Sequence, residues 1–344
     1  MALKFIEGFD YFGSTTDFLG KWGSSGTADI SFDTGRFGVG TGKCIRLQRI
    51  ASQPNCYYNL AAAVTELVIG FGFRTTSLSN GDRTILYLAN QSLGINAALG
   101  YDTSGHLQAF RGTTTGTVLG TTTATILADT WYYIEQKWKI ADSGGYVIVK
   151  IDGVEVLNVT GLDTKALSSA NIDQLLFFGM NSGTGSKYFD DMYMCDLTGT
   201  VNNDFLGECR VKYIKPTGDG PLQEWDPSAG AAWECVDETT PDGDTTYVLS
   251  DSAGDIALYD VEGISVDDVI KGVDVVVMAR KDDAPTRIVK PTIRVEGFDH
   301  DGATKTLTTS YAYSTHIWET NPETLAAWTP AEITDLQVGM TLDT

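Results

Sequence analysis

Short apolar runs, bounded by Gly, Asn, Asp and Ser, fill the first two hundred positions and predict one β-strand after another. Within 130–140, Tyr132, Ile134, Gln136, Trp138 and Ile140 share one face, and Glu135, Lys137 and Lys139 share the other with Trp131 and Tyr133. No helical periodicity of useful length interrupts the series, which favours a two-sheet sandwich or jelly roll. Strands are predicted within 66–75, 84–90, 105–112, 130–140, 145–161, 171–183 and 186–197.

The Asp152-Gly153 pair lies between two β-rich runs and predicts a type I′ hairpin turn, since both central positions of that turn need a positive φ. A second Asp-Gly pair, Asp301-Gly302, predicts another hairpin turn.

The last third of the chain repeats the strand pattern and ends in a predicted helix over 329–340. Thr329 is the expected N-cap, Pro330 occupies the first helical position, and Glu332 completes a capping box. Pro291 interrupts a strand pattern, which indicates an edge strand or a bulge. We expect a smaller β-sandwich with one short helix, with strands within 245–250, 255–261, 270–283, 286–299 and 307–320.

Charge divides the chain near residue 205. Residues 1–205 carry a net charge of about −5 and residues 206–344 about −16, which together make the −21 of the 344-residue chain. We therefore predict two domains, 1–205 and 206–344, with 206–237 as the junction. Such an acidic chain is a poor partner for nucleic acid or for an anionic membrane surface.

The first residues contain no apolar run of signal-peptide length, and no stretch reaches the ~20 apolar residues of a membrane span. Synthesis in a cytoplasm without a signal peptide, and no membrane insertion, are the expectations. The five cysteines form no CxxC pair, so reduced, mostly buried thiols are expected. Cys195 and Cys209 flank the predicted boundary, and a disulfide there or between chains, in a protein that ends up outside a cell, is the alternative.

Two groups of motifs resemble known families. The runs "TWYYIEQKWKI", "GGYVIVKIDGVEVLNVTG", "NIDQLLFFGM" and "KYFDDMYMCDLTG", in this order, resemble the concanavalin A-like or laminin G-like jelly rolls. The runs "NNDFLGECRVKYIKPTGDG" and "SYAYSTHIWETNPETLAAWTPAEITDLQVGM" look like proteins encoded among the structural genes of tailed bacteriophages. The resemblance implies a structural or adhesive virion protein, with an N-terminal concanavalin A-like jelly roll.

Asp190 and Asp191 are the first candidates for chemistry. Adjacent side chains in a regular strand face opposite sides, so the two carboxylates are expected on different faces. A glycosidase needs two carboxyls that converge at about 5–9.5 Å. The chain also lacks the Glu-x-Asp-x-x-Glu strand of the glycoside hydrolases that the resemblance brings in. A structural role for Asp190 and Asp191, bonding the backbone of a neighbouring loop, is the preferred interpretation, and a calcium site is the alternative.

Other candidate residues are few. His106, His300 and His316 are far apart and show no zinc-ligand spacing. The seven tryptophans are expected to be core or interface anchors, with sugar stacking as the alternative. Trp138 is a structural candidate within its strand, and Trp225 and Trp233 are expected to seal the contact between the two domains.

The sequence thus predicts a non-enzymatic structural component of a phage particle: a tail, fibre or capsid-decorating protein. Its expected partners are other virion proteins and further copies of itself, and its expected location is the virion. A carbohydrate-binding adhesin that recognises host surface glycans is the first alternative. A glycan-cleaving enzyme is the second. No cofactor is expected apart from the calcium alternative.

Overall fold

The structure, a computed structural model, describes residues 2–25, 29–40, 42–50, 53–79, 83–181 and 185–344. The chain divides into two compact units. The first comprises residues 1–10 and 14–212, and the second comprises residues 11–13 and 213–344. Residues 206–212, placed in the second domain by the sequence analysis, therefore group with the first unit.

Antiparallel strands make up nearly all regular structure of the first unit. Its one described α-helix is short and begins at the N-cap Ser14, whose side chain accepts a hydrogen bond from the Asp17 N–H. The described elements are β1 (Leu3–Glu7), α1 (Thr15–Leu19), β2 (Gly23–Ser25), β3 (Ile30–Thr34), β4 (Lys43–Gln48), β5 (Asn55–Val64), β6 (Glu66–Thr75), β7 (Thr84–Asn90), β8 (Gly94–Tyr101), β9 (His106–Arg111), β10 (Thr117–Thr125), β11 (Tyr132–Lys139), β12 (Gly145–Ile151), β13 (Val154–Leu162), β14 (Ile172–Phe178) and β15 (Ser186–Cys195).

These strands form two sheets of a jelly-roll sandwich. The eight-stranded sheet has the order β13-β12-β11-β6-β15-β4-β3, with β1 also paired to β15. The seven-stranded sheet has the order β10-β9-β8-β7-β14-β5-β2. The predicted all-β jelly roll is confirmed, and all seven predicted strand regions contain strands.

The core lies between the two sheets. Phe71 of β6 and Phe189 of β15, in one sheet, pack against Phe177 of β14, in the other, with ring centroids 5.7 and 5.2 Å apart. The register of β11 against β6 places Ile134 opposite Phe71, so that the predicted apolar face of β11 points into this core. The opposite side of each sheet is called its outer face below.

Turns of the first unit follow the sequence signals. Asp152 and Gly153 both have positive φ values, 49° and 78°, which confirms the predicted hairpin turn between β12 and β13. Residues 182–184, between β14 and β15, lie outside the described residues.

The second unit is a smaller β-sandwich. A six-stranded sheet, with the order β16-β19-β25-β21-β22 and β23 paired to β21, shares a core with the β20–β24 ribbon. Trp318, Trp328 and Val275 are buried in this core. The described elements are β16 (Pro216–Gln223), β17 (Asp226–Pro227), β18 (Val248–Leu249), β19 (Ile256–Val261), β20 (Val273–Ala279), β21 (Ile288–Val295), β22 (Phe298–Asp301), β23 (Lys305–Thr306), β24 (Ala312–Trp318), α2 (Pro330–Thr334) and β25 (Gln337–Leu342).

The predicted helix start is confirmed, whereas its predicted end is wrong. The Thr329 side chain accepts from the Glu332 N–H and the Glu332 carboxylate accepts from the Thr329 N–H, which is the predicted capping box. The helix stops at Thr334 after five residues, and β25 then pairs with both β19 and β21. Met340 and Leu342 are buried, and Val338 is half-buried, because this strand lies inside the sheet.

Of two further predictions for the second unit, the hairpin turn at Asp301-Gly302 is wrong, and of the two alternatives given for Pro291, an edge strand or a bulge, the edge strand is wrong. The hairpin turn lies at Glu296-Gly297, both with positive φ, and Asp301 is the last residue of β22. Pro291 lies in β21, an interior strand of the sheet. On one side of β21 the paired strand changes from β23 to β22, and Pro291 lies at this change. This interruption accommodates a residue that has no N–H to donate.

Among the described residues, every helix is too short or too polar to cross a membrane.

Candidate functional site

The Asp190–Asp191 pair lies at a β-bulge. In the pairing of β15 with β6, Asp190 is opposite Gly72 and Tyr193 is opposite Gly70, so β15 carries one extra residue between them. Asp191 has φ 49°, a left-handed conformation that Asp adopts more readily than most side chains.

This bulge overturns the predicted separation of the two carboxylates. The extra residue shifts the alternation of β15 by one, so that Tyr193 lies over Gly70 on the outer face while Met194 pairs with the core residue Ile69. Both carboxylates then point to the outer face of the eight-stranded sheet, where they meet the same arginine. Strand alternation fails here because it holds only for regular strands.

Arg36, in the connection from β3 to β4, binds both carboxylates. Its backbone N–H donates to Asp190 Oδ2 at 2.7 Å, and its Nε donates to Asp191 Oδ2 at 3.1 Å. The side chain crosses the strand over Gly72, where an added Cβ would lie 2.8 Å from Arg36 Cδ. Gly72 therefore makes room for the guanidinium.

The two remaining carboxylate oxygens also accept backbone hydrogen bonds. Asp190 Oδ1 accepts from the Asp191 N–H at 2.8 Å, and Asp191 Oδ1 accepts from the Val211 N–H at 2.7 Å. All four oxygens of the pair thus have a donor from this chain. Three of these donors are backbone N–H groups, and the fourth is the Arg36 side chain. The structural role preferred from the sequence stays a prediction.

Burial dominates the electrostatics of the pair. Burial, together with the charge of Asp191, raises the pKa of Asp190 to about 8, against the lowering effect of its backbone hydrogen bonds. Burial also raises the pKa of Asp191, although the Val211 N–H and Arg36 oppose the rise. Both shifts oppose the simultaneous ionisation of the two carboxyls.

Residues 204–211, which follow β15, cover this outer face without forming a strand. The Leu206 N–H donates to the Tyr193 hydroxyl at 3.1 Å, and the Gly207 N–H donates to Glu135 Oε1 at 2.9 Å. Tyr193 itself donates to Glu135, and burial next to this carboxylate raises the pKa of Tyr193. The sequence analysis did not identify Glu135 and Tyr193 as a pair, because the bulge that aligns them is not visible in the strand pattern.

Calcium has no ready site at the pair. Within the described ranges, no group of three or more His, Cys, Asp or Glu side chains could hold a metal ion. The oxygens of Asp190 and Asp191 face Arg36 and backbone N–H groups, which are donors and not ligands.

The predicted tryptophans are mostly core residues. Trp138 is fully buried on the inner side of β11, where its indole N–H donates to Gln136 Oε1 at 2.7 Å. Trp225 belongs to the core of the second unit and donates to the Asp255 carbonyl, and Trp233 is half-buried against the same core. The sealing role predicted for Trp225 and Trp233 stays a prediction. Of the remaining tryptophans only Trp131 is half-buried; Trp22, Trp318 and Trp328 are buried.

A different set of aromatic rings lies on the outer face of the seven-stranded sheet. The register aligns Gly23, Tyr57, Leu176 and Tyr87 in one row across β2, β5, β14 and β7. Phe178 flanks this row, with its ring centroid 4.8 Å from that of Tyr87. The Tyr57 ring lies over Gly23, where an added Cβ would be 2.0 Å from ring atoms.

Two amide side chains adjoin the rings on the same face. Gln174 is paired with both Asn59 and Ala89, and its Nε2 donates to Asn59 Oδ1 at 2.8 Å. The rings are half-buried and Asn59 is exposed. We call the following set the outer-face patch: Tyr57, Asn59, Tyr87, Gln174, Leu176 and Phe178.

The sequence contains a signal for this patch. In "CYYNL" and "LLFFG" two aromatic residues are adjacent, and strand alternation must bury one and leave the other outside. Tyr58 and Phe177 are the core members of these pairs, and Tyr57 and Phe178 are the outer ones.

No family model matches the sequence, and no curated protein matches it. Solved structures that resemble the chain include a sialidase (13% identity, TM-score 0.42, 56% of this chain and 18% of the sialidase). A further example is alginate lyase Aly36B, with 15% identity and a TM-score of 0.39 over 55% of this chain and 95% of the lyase. Another is Lectin I from Ulex europaeus, with 9% identity and a TM-score of 0.37 over 56% of this chain and 97% of the lectin. The chain thus spans about a fifth of the sialidase, and these values are too low to support an inference about function.

Proposed function

We propose that the chain is a non-enzymatic component of a tailed-phage particle, in the tail, a fibre or the capsid decoration, and that it acts by binding other virion proteins. One observation supports a binding rather than a catalytic role: every oxygen of Asp190 and Asp191 receives an N–H from this chain. The phage setting rests on the resemblance of the two long sequence runs.

A catalytic carboxylate must have an oxygen within hydrogen-bond reach of the substrate. Asp190 and Asp191 are 4% and 3% exposed, and Arg36 and residues 204–211 lie over them. The hydrogen bonds of both carboxylates hold parts of this chain in place. Incubation with host polysaccharide should accordingly release no reducing sugar, and measurable release that an Asp190→Asn variant abolishes would contradict this reading.

Assembly in a symmetric particle multiplies weak contacts, so a modest surface on each copy is sufficient. The strong negative charge of residues 206–344 keeps the free protein soluble and suits a basic surface on a capsid or tail protein. Purified particles should contain the chain in a fixed ratio to the major capsid protein by quantitative mass spectrometry. Its absence from particles, alongside abundant expression during infection, would reject the proposal.

A second candidate function, binding of a host surface glycan, is favoured by the outer-face patch. Aromatic rings stack on the apolar faces of sugar rings, and amide groups both donate to and accept from sugar hydroxyls. The patch offers three half-buried rings beside two amide side chains on one sheet face.

A glycan array probed with the full-length protein tests this candidate. Tyr57→Ala removes a ring, and Gly23→Ala displaces the same ring without touching the ligand; both should reduce binding by tenfold or more. Val154→Ala, which trims an exposed side chain at the far edge of the other sheet, is the matched control and should bind normally. Absence of binding to every host polysaccharide at high avidity would remove this candidate and leave the assembly proposal standing.

A further inference from the structure

A row of alternating cationic and aromatic side chains crosses the outer face of the eight-stranded sheet. The register places Tyr188 of β15 opposite Arg46 of β4 on one side and opposite Arg74 of β6 on the other. Tyr188 lies two residues before Asp190 in the regular part of β15, so the row faces outward as that carboxylate does. Trp131, directly before β11, continues the row, with Arg74 Cζ 5.2 Å from the centroid of its ring. We call these four side chains the arginine row: Arg46, Tyr188, Arg74 and Trp131.

The aromatic rings of the row hold both guanidiniums. Arg74 Cζ lies 4.0 Å and Arg46 Cζ lies 5.9 Å from the centroid of the Tyr188 ring. Tyr188 is buried, whereas Arg46, Arg74 and Trp131 are half-buried. Stacking on a ring orients the plane of a guanidinium and leaves the N–H groups at its edge available to a further partner.

Few of the N–H donors in the row have an acceptor. Each guanidinium carries five N–H donors. Among the described residues, Arg46 Nε donates to Ser186 Oγ at 3.1 Å, and Arg74 Nε is buried without any acceptor. Buried donors are nearly always paired in proteins, so the unpaired Nε of Arg74 indicates an acceptor from outside this part of the chain.

Neither arginine of the row forms an ion pair within the described ranges, although the chain carries a net charge of −21. Asp33 and Asp190, the acidic residues next to the row on the same face, accept the backbone N–H groups of Thr34 and Arg36 instead. The arginines that do pair with Asp or Glu in this part of the chain are Arg36, Arg111, Arg280, Arg287 and Arg294.

We propose that the arginine row binds carboxylates on the acidic second unit of another copy of this chain. Residues 206–344 carry a net charge of about −16, so every copy brings a surface of the required sign. Arg, Tyr and Trp are the side chains enriched at the energetic centres of protein interfaces, and a guanidinium binds a carboxylate through two parallel hydrogen bonds. This inference rests on the proposed function, because it supplies one of the contacts through which copies assemble.

The contact joins two different surfaces, the first unit of one copy and the second unit of the next. Each added copy therefore brings a further row and a further acidic unit, and copies add until a ring closes or a fibre grows. A dimer with the two rows face to face is disfavoured, because it would bring four guanidiniums together and like charges repel.

An acidic polysaccharide is the alternative occupant of the row. Sugar rings stack on the faces of aromatic side chains. Arg74 already occupies a face of both rings, with its Cζ 4.0 Å from the centroid of Tyr188 and 5.2 Å from that of Trp131. The row therefore suits carboxylates on a protein surface better than carboxylates carried on sugar rings.

Analytical ultracentrifugation of the full-length chain tests the proposal. The unmodified protein should form oligomers as its concentration rises to about 1 mM, and association should weaken about tenfold or more between about 0.05 M and about 0.5 M salt, because salt screens contacts between charges. Arg46→Gln/Arg74→Gln should stay monomeric with an unchanged circular dichroism spectrum. Arg111→Gln, which removes an arginine already paired with Asp163, is the matched control and should associate normally.

Mixing the proteins identifies the partner surface. The double variant lacks the row but keeps its acidic unit, so it should bind the unmodified protein although it does not bind itself. If the double variant does not fold, Arg46→Gln alone should weaken association and takes its place in both experiments.

Four outcomes would overturn the proposal. They are an unmodified protein that stays monomeric at every concentration, association that the substitutions in the row leave unchanged, a double variant that fails to bind the unmodified protein, and loss of polygalacturonate binding alone in that variant, which would assign the row to an acidic glycan. These outcomes are measured in solution, whereas the proposed function is measured by the content of purified particles, so the failure of one is distinguishable from the failure of the other.

Discussion

Replacing Arg36 by Met gives the sharpest test of the role assigned to the carboxylate pair. The side chain of Arg36 is 7% exposed and that of Asp191 is 4% exposed, so the substitution leaves a buried carboxylate without its cation. Removal of one partner from a buried ion pair costs about 3–5 kcal/mol. We expect the free energy of unfolding of the first unit to fall by that amount at pH 7.

The double variant Arg36→Met/Asp191→Asn should recover part of this loss. Asn tolerates the left-handed conformation of position 191, and its amide oxygen still accepts the Val211 N–H. With no buried charge left uncompensated, the two substitutions should show a coupling energy of about 2–3 kcal/mol in a double-mutant cycle.

Urea unfolding of the full-length chain, followed by tryptophan fluorescence, measures these free energies. Phe71→Leu, a change within the core of the first unit, identifies the transition that belongs to this unit. Lys137→Met is the matched control, because its partner Asp204 is 62% exposed and such pairs contribute about 0–1 kcal/mol. If Arg36→Met costs no more than Lys137→Met, or if the effects of Arg36→Met and Asp191→Asn are simply additive, the structural role of the pair is refuted.

Three further outcomes are expected in the same unfolding assay. The pKa of Asp190 is raised to about 8 from its ordinary value of 3.8, so this group contributes stability that is present at low pH and is lost as pH rises through 8. Asp190→Asn should therefore flatten the fall in the free energy of unfolding between pH 5 and pH 8. An unchanged slope would count against the raised pKa. Thr329→Ala removes the N-cap partner of Glu332 and should cost the second unit about 1 kcal/mol, with no change in the first; a neutral result would mean that the cap does not stabilise α2. Gly70→Ala places a Cβ 2.2 Å from the Tyr193 ring and should cost the first unit about 1–3 kcal/mol, whereas tolerance would show that the ring can move away freely.

The sequence predicted the strands of the first unit well because their signals are local. Alternation in β11 and the Asp152-Gly153 turn depend only on neighbouring residues, and the structure confirms both. The charge step near residue 205 is likewise readable from the chain, whereas the grouping of residues 206–212 with the first unit depends on long-range contacts.

The site could not be predicted from the same signals. The bulge at Asp191 arises from the pairing of β15 with β6, and Asp191 and Phe71 of these strands are 120 residues apart in the sequence. Nothing in "YFDDMY" distinguishes the bulged strand from one with regular alternation. Arg36 is even more distant in sequence, 155 residues from Asp191, since it comes from the β3–β4 connection. Similarly, β25 reads as a continuation of α2 because its burial comes from two strands far earlier in the chain.

A cryo-EM map of the intact particle tests the central claim most directly. We expect density for both units at repeated, symmetry-related positions in the tail, a fibre or the capsid surface. Particles that lack this density, although the chain is present in the infected cell, would contradict it.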